Sequence, residues 1–341
     1  MNAAFNSPYL RQPASVRSVM ARVLVALLPG IAVYVWFFGA AILVQIALAS
    51  LTALAGEAAI LSARGKPVGL FLGDGSALVT GWLIALSLPP IAPWWMVVVA
   101  TLFAIVVVKH LYGGLGQNVF NPAMAAFALM IVAYPQLMSQ WPAPGLGMEF
   151  STQLNLIFGG ERMLDAITQA TALDTLRTGL LGGAGTVAGV FESQPAFGIF
   201  GGRGFEWIAF GYLVGGLWLM QQRIITWHIP VAFTVTLALT AGLFHLISPD
   251  RFAGPMFHLF AGGAMLGAFF IATDPVSGAT TPKGKLIYAA GIAIIDWVIR
   301  TFGAYPDGVA FATLLMNIAA PLIDLKTQPP VFGHKNDGAR R

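Results

Sequence analysis

Apolar residues along this chain form long runs that short polar connections separate. A helix needs roughly 20 apolar residues to cross a bilayer, and ten of these runs approach that length. We therefore predict about ten transmembrane helices. Their predicted positions are about 20–38, 40–62, 75–90, 94–109, 119–134, 207–222, 229–247, 256–273, 286–302 and 308–324.

The composition supports a membrane protein. Of the 341 residues, 57% are hydrophobic and only 9% are charged, whereas soluble domains carry about 25% charged residues. An all-α integral membrane protein is the fold class that this predicts. The chain has no cysteine, which excludes disulfides and thiolate-bound iron–sulfur clusters within it. Its excess of four positive charges lies in loops, and no nucleic-acid-binding pattern is present.

One long polar segment interrupts the apolar pattern and divides the chain into four parts. These are a first membrane repeat at 1–134, an insert at 135–206, a second membrane repeat at 207–324 and a polar tail at 325–341. Each membrane part would hold five of the ten spans. The insert is the natural place to look for chemistry outside the bilayer.

The distribution of Lys and Arg predicts the orientation. If the N-terminus is cytoplasmic, 13 of the 18 basic residues face the cytoplasm and five lie outside. An excess of Lys and Arg marks cytoplasmic loops, so we predict that both termini are cytoplasmic and that the insert is periplasmic. The five outside residues are Arg162, Arg177, Arg203, Arg251 and Arg300.

The two membrane parts contain segments that look related. Residues 75–118 and 263–317 share Gly-rich starts, proline breaks at Pro89-Pro90 and Asp274-Pro275, and later Gly-containing turns. The two segments would run in opposite directions, which predicts two inverted five-helix repeats, as in transport folds whose broken helices meet near the membrane midplane. The alternative, a chance likeness between apolar spans with Gly and Pro turns, stays open.

A short motif in the insert carries candidate chemistry. Asp165, Thr168, Ala170 and Thr171 resemble the acceptor motif of periplasmic flavin transferases. In that motif an Asp is followed by two free positions, a Ser or Thr, one variable residue, Ala and Thr. The resemblance implies that the hydroxyl of Thr171 attacks the diphosphate of FAD and keeps FMN as a phosphoester. This chemistry needs a flexible, exposed loop that fits the site of the transferase, and we expect such a loop around Thr171. The usual motif has Gly where this chain has Gln169, which is a loosely specified position.

A second resemblance extends over nearly the whole chain, from Ser7-Pro8-Tyr9 to Gly333-His334. Its most specific parts are the glycine- and asparagine-rich run at 109–124, the run at 305–312 and the ending Pro321-Leu322-Ile323-Asp324. In these parts the chain resembles the D subunits of Rnf ion-translocating electron-transport complexes, which are related to the B subunit of the Na⁺-translocating NADH:quinone reductase.

This resemblance implies a membrane subunit, without turnover of its own, of a ferredoxin:NAD oxidoreductase that couples electron flow to Na⁺ or H⁺ movement. It implies covalent FMN on Thr171 and a non-covalent riboflavin within the membrane, with no catalytic residue and no metal in this chain. The implied partners are the other Rnf subunits, including a second covalent-flavin subunit, a periplasmic flavin transferase and the lipid of a bacterial inner membrane.

Three other features have competing interpretations. The segment from Asp274 to Thr280 fits the same acceptor motif, but Lys283 and Lys285 predict that it is cytoplasmic, where a periplasmic transferase would not reach it. Glu57 and Asp296 are ionisable groups inside predicted spans and hence candidates for an ion path, although Asp296 also has Arg300 one helical turn away as a structural partner. A flavin-free permease or channel remains the alternative function, and covalent flavin would discriminate the two.

Overall fold

The computed structural model describes residues 15–159, 167–182 and 185–329, and these are mainly helical. The helices of the first membrane part are α1 (Val16–Phe38), α2 (Ala41–Ala63), α3 (Val68–Leu72), α4 (Ser76–Ser87), α5 (Trp94–Leu102), which continues as a π-helix over Phe103–His110, and α6 (Pro122–Ala133). The insert contains α7 (Pro135–Met138), β1 (Trp141–Pro142), α8 (Phe150–Phe158), β2 (Thr168–Gln169), α9 (Ala172–Leu181) and α10 (Val187–Ser193). The second membrane part contains α11 (Phe205–Gln221), α12 (His228–Ile247), α13 (Pro255–Phe260), α14 (Ala264–Leu266), which continues as a π-helix over Gly267–Ile271, α15 (Pro282–Phe302) and α16 (Val309–Thr327).

The helices agree with a protein that crosses the membrane several times. Within the described residues, four of them are long and apolar enough to span a bilayer, namely α1, α2, α12 and α16. Helical structure lies at all ten predicted positions, but α4 and α6 have only 12 residues each. The number of crossings and the inverted repeats therefore stay predictions.

The predicted continuous span at 256–273 is wrong in one respect, because it is broken between α13 and α14. At the break, Gly262 has a φ of +62°, a left-handed conformation that favours glycine. A Cβ on this residue would collide with the carboxylate of Asp307 and the side chain of Leu173. The break thus brings backbone from inside the bundle against the insert and the loop that precedes α16.

The two membrane parts meet most closely where α1 packs on α11. A Cβ on Gly211 would lie 2.7 Å from the backbone of Gly30, and one on Gly215 would overlap the carbonyl of Ala26. Small residues at such positions allow two helix backbones to approach within the membrane. Close contact of α1 with α11 makes the halves one body, with a continuous apolar core.

The insert is folded onto both halves and is not the loose loop that the motif's chemistry led us to expect. Leu156 and Ile157 of α8 pack on Ala41 and Ile91 of the first half. Helices α9 and α10 pack against the second half, through Ala172, Leu173, Leu176, Val187, Val190, Ala253, Phe257 and Ala261. Burial of these apolar side chains holds the segment around Thr171 in place.

Candidate functional site

Thr171 is the N-terminal cap of α9. Its backbone is extended, and its hydroxyl oxygen accepts a hydrogen bond of 3.3 Å from the N–H of Asp174. Just before it, Thr168 and Gln169 form a two-residue antiparallel ribbon with 141–142, and Ala170 is exposed. Asp165 lies outside the described residues. The ribbon and the helix together fix where the Thr171 hydroxyl lies.

Thr171 is on the wall of a cavity between the two halves. The cavity volume is about 140 Å³. Its lining comes from both halves and from the insert, and it is mostly apolar. The lining residues used below are Tyr34, Ser87, Met124, Trp141, Thr171, Leu173, Tyr212, Gly263, Leu266, Ile271 and Asp307.

Two tyrosine hydroxyls of this wall have no hydrogen-bond partner among the described residues. Tyr34 on α1 is 2% exposed and Tyr212 on α11 is 4% exposed, and both phenolic oxygens are buried and unpaired. Leaving a buried polar group unsatisfied costs roughly 1–3 kcal/mol. Most such groups in native proteins find a partner, so the two hydroxyls are candidate contacts for a polar group of a ligand.

A buried ion network holds another part of the wall. Asp307 accepts hydrogen bonds from the N–H groups of Gly263 at 2.6 Å and Val309 at 3.1 Å, and Arg300 contacts it at 3.2 Å. Arg300 also lies 3.0 Å from Asp296, which is the ion pair that the sequence predicts. The network ties the break at Gly263 to the loop before α16.

Asp307 stays ionised at neutral pH. Burial alone would raise the pKa of its carboxyl, but the Arg300 guanidinium and the two backbone N–H groups outweigh burial and lower that pKa below the ordinary value of 3.8. A carboxylate with a lowered pKa stabilises the folded state above its ordinary pKa and loses that contribution as the pH falls. The wall therefore carries a charge, which Arg300 compensates.

The second motif match lies at the opposite end of the molecule. Arg177 of α9 donates a 2.6 Å hydrogen bond to the carbonyl of Ala304, just after α15 ends, whereas Thr280 comes just before α15 begins. Helix α15 has 21 residues, so about 30 Å separates its two ends at 1.5 Å per residue. The hydroxyl of Thr280 is engaged, since it donates to Asp324 at 2.8 Å.

A second cavity lies toward the Thr280 end. Its volume is about 320 Å³, and its polar lining includes Lys109, Asp274, Thr280 and Lys285. Helices α4 and α6 and the segment at 266–271 contribute neighbouring residues to both cavities. The two cavities therefore share these segments as walls.

The buried carboxylate predicted at Glu57 belongs to a polar cluster beside the second cavity. Its Oε1 atom lies 2.6 Å from the ammonium of Lys109 and 3.0 Å from Nε2 of His110. Lys109 also donates to Ser76 at 2.7 Å. The Oε2 atom of Glu57 has no hydrogen-bond partner among the described residues, so one acceptor of the cluster is unused.

Several residues of the Thr171 cavity could not be found from the sequence. Tyr34 and Tyr212 have no local signal, because isolated tyrosines in apolar helices are ordinary. Asp307 stands out in the sequence only as part of the run at 305–312. These residues approach Thr171 through contacts between helices that are far apart in sequence.

The chain is similar to known proteins over nearly its full length. The model of the NQR2, RnfD, RnfE family matches residues 4–333. The D subunit of an ion-translocating oxidoreductase complex from Yersinia pseudotuberculosis serotype O:1b (strain IP 31758) is 48% identical, over 97% of this chain and 98% of the relative. The D subunit of the same kind of complex is 48% identical in Aeromonas hydrophila, over 96% and 97%, and 46% identical in Escherichia coli O127:H6, over 97% and 98%.

Proposed function

The chain belongs to the NQR2, RnfD, RnfE family, and we propose that it carries FMN as a phosphoester on Thr171. As a membrane subunit of an Rnf-type ion-translocating oxidoreductase complex, it would pass electrons between flavins in a ferredoxin:NAD oxidoreductase that moves Na⁺ or H⁺. The observation that carries the proposal is that the motif threonine lies on the wall of a mostly apolar cavity between the two membrane halves.

The cavity fits the proposed cofactor chemically. Its apolar side chains suit an aromatic ring system, and the unpaired hydroxyls of Tyr34 and Tyr212 suit the polar atoms of that ring. Flavins accept and release electrons in single steps or in pairs. The chain's own contribution is to hold the ring out of water and to fix its position relative to the second cavity.

The position of Thr171 also suits a phosphate. A group esterified to this hydroxyl lies at the N-terminus of α9, where unpaired backbone N–H groups and the helix dipole favour negative charge. Its neighbours Ala170 and Ala172 are small and leave the hydroxyl unobstructed. A covalent bond retains the cofactor, since a tethered mononucleotide returns to its site as an intramolecular event.

Thr171 is a better acceptor than Thr280. The hydroxyl and the N–H of Thr280 are both hydrogen-bonded to Asp324, so attack by Thr280 would require that contact to break. Because α15 separates the two threonines, a transferase on one side of the membrane reaches only one of them. The distribution of Lys and Arg assigns the periplasmic side to Thr171.

The second cavity is our candidate site for the riboflavin. It shares walls with the Thr171 cavity, and Lys109 and Asp274 offer polar contacts. Two flavins on either side of these shared walls would allow electrons to pass between the two ends of the protein. The Glu57 cluster beside this cavity is the candidate for ion coupling, whereas Asp296 is better explained by its structural pairing with Arg300.

The remaining parts of the proposal concern topology and partners. The pairing of α1 with α11 and of α6 with α16 supports the inverted repeats, in which these would be equivalent helices. The apolar runs support ten spans, and the distribution of Lys and Arg supports cytoplasmic termini in a bacterial inner membrane. The partners would be the other complex subunits, including a second covalent-flavin subunit, and a periplasmic flavin transferase. Two cavities between membrane halves would also suit a flavin-free permease.

Covalent flavin decides between the two functions. The full chain is expressed with a flavin transferase, denatured and scanned for fluorescence on a gel. We expect a fluorescent band for the wild type and for Thr280→Val, and none for Thr171→Val, which loses the hydroxyl and nearly keeps the shape. A dark wild-type band would favour the permease, and a bright Thr171→Val band with a dark Thr280→Val band would show that we chose the wrong threonine.

A further inference from the structure

The two unpaired tyrosine hydroxyls differ from the other polar groups of the Thr171 cavity. Ser87 donates to the carbonyl of Leu83 at 2.7 Å, Trp141 donates to the carbonyl of Met138 at 3.1 Å, and Asp307 is held by the network described above. Apart from Thr171 itself, only Tyr34 and Tyr212 among the described lining side chains have a hydroxyl or N–H donor without an acceptor.

Both tyrosine rings are held rigidly against the bundle. The ring of Tyr212 occupies the space where a Cβ of Gly30 would lie, and it contacts Phe270 at a centroid distance of 6.0 Å. The ring of Tyr34, one helical turn beyond Gly30, packs on Phe38 at 5.2 Å. Neither hydroxyl can turn away without disturbing this packing, so both stay buried and unpaired at the wall of the cavity.

We propose that Tyr34 and Tyr212 donate hydrogen bonds to the pyrimidine edge of a flavin ring attached through Thr171. This inference rests on the proposed function, which supplies the flavin. One edge of the ring system carries carbonyl oxygens and ring nitrogens, and the opposite edge is an apolar dimethylbenzene. The two hydroxyls select the polar edge, and apolar lining residues such as Met124, Leu266 and Ile271 suit the other.

The two donors have a consequence for the chemistry of the site. A flavin ring gains negative charge when it is reduced, and a hydrogen bond to a group bearing charge is stronger than one to a neutral group. Hydroxyls fixed in an apolar cavity would therefore stabilise the reduced ring more than the oxidised ring. Tyr34 and Tyr212 act as positioning residues that also raise the reduction potential of the attached flavin.

Removing each hydroxyl tests the inference. Tyr34→Phe, Tyr212→Phe and the double variant are made in the full chain with its flavin attached. The matched control is Tyr288→Phe, because Tyr288 is equally buried but does not line the cavity. The readouts are band fluorescence on a denaturing gel and the midpoint potential of the attached flavin from a spectroscopic titration.

We expect the fluorescent band to survive in all variants. In each cavity variant, the preference of the site for the reduced ring over the oxidised ring should fall roughly tenfold. A fall of this size is the effect of losing one hydrogen bond. Tenfold corresponds to a midpoint about 59 mV more negative for a one-electron couple. The double variant should shift further, and Tyr288→Phe should match the wild type.

Different results overturn different statements. A bright wild-type band with unchanged potentials in both single variants would overturn this inference alone, and water would then be the partner of the hydroxyls. A dark wild-type band would overturn the proposed function and remove the flavin on which the inference depends. The single variants decide the question even if the double variant fails to accumulate.

Discussion

Replacing Arg300 by glutamine should destabilise the protein strongly. The Arg300 guanidinium is buried, lies 3.0 Å from Asp296 and 3.2 Å from Asp307, and donates to the carbonyl of His258 at 2.7 Å. Its removal leaves Asp296 fully buried, with the N–H of Gly308 as its remaining hydrogen-bond donor among the described residues. Removing one partner of a buried ion pair costs about 3–5 kcal/mol, and we expect a loss of that size.

The assay is unfolding in detergent micelles, followed by circular dichroism as denaturant is added. Arg203→Gln, at an exposed arginine, is the matched control and should change the unfolding free energy by less than about 0.5 kcal/mol. The double variant Asp296→Asn/Arg300→Gln should recover part of the loss, because it removes one of the stranded charges. If Arg300→Gln unfolded like Arg203→Gln, the network would not hold the cavity wall and our reasoning would be refuted.

Two other predictions concern orientation and ion coupling. Reporter fusions at about residues 66, 180, 225 and 283 should read inside, outside, inside and inside, and an inside reading at 180 would overturn the choice of Thr171. Glu57→Gln should reduce redox-driven Na⁺ or H⁺ uptake into vesicles that contain the assembled complex, while the fluorescent band persists, because Glu57 lies outside the Thr171 cavity. Glu149→Gln, at an exposed carboxylate, is the control, and normal uptake with Glu57→Gln would exclude this carboxylate from the ion path.

The features that the sequence predicts well are those that neighbouring residues determine. Helix positions follow from runs of apolar residues, and the acceptor motif is a pattern of seven consecutive residues. The pairing of Asp296 with Arg300 was predictable because residues four apart lie on one face of a helix. Such features need no knowledge of which helices meet.

The cavity could not be predicted in the same way. The break at Gly262 depends on Asp307 and Leu173, which approach it from the loop before α16 and from the insert. The pairing of Tyr34 with Tyr212 depends on close packing of α1 on α11, and a single glycine in a helix carries no signal of which helix it faces. The motif also suggested a flexible loop, whereas tertiary packing folds Thr171 into a helix cap.

The most direct test of the central proposal is the mass of one peptide. Trypsin cleaves after Arg162 and Arg177 and releases a peptide that contains Thr168, Thr171 and Thr175. We predict that this peptide from the native protein is heavier by FMN less one water, and that fragmentation assigns the addition to Thr171. An unmodified peptide, or the same addition on the peptide that contains Thr280, would contradict the account.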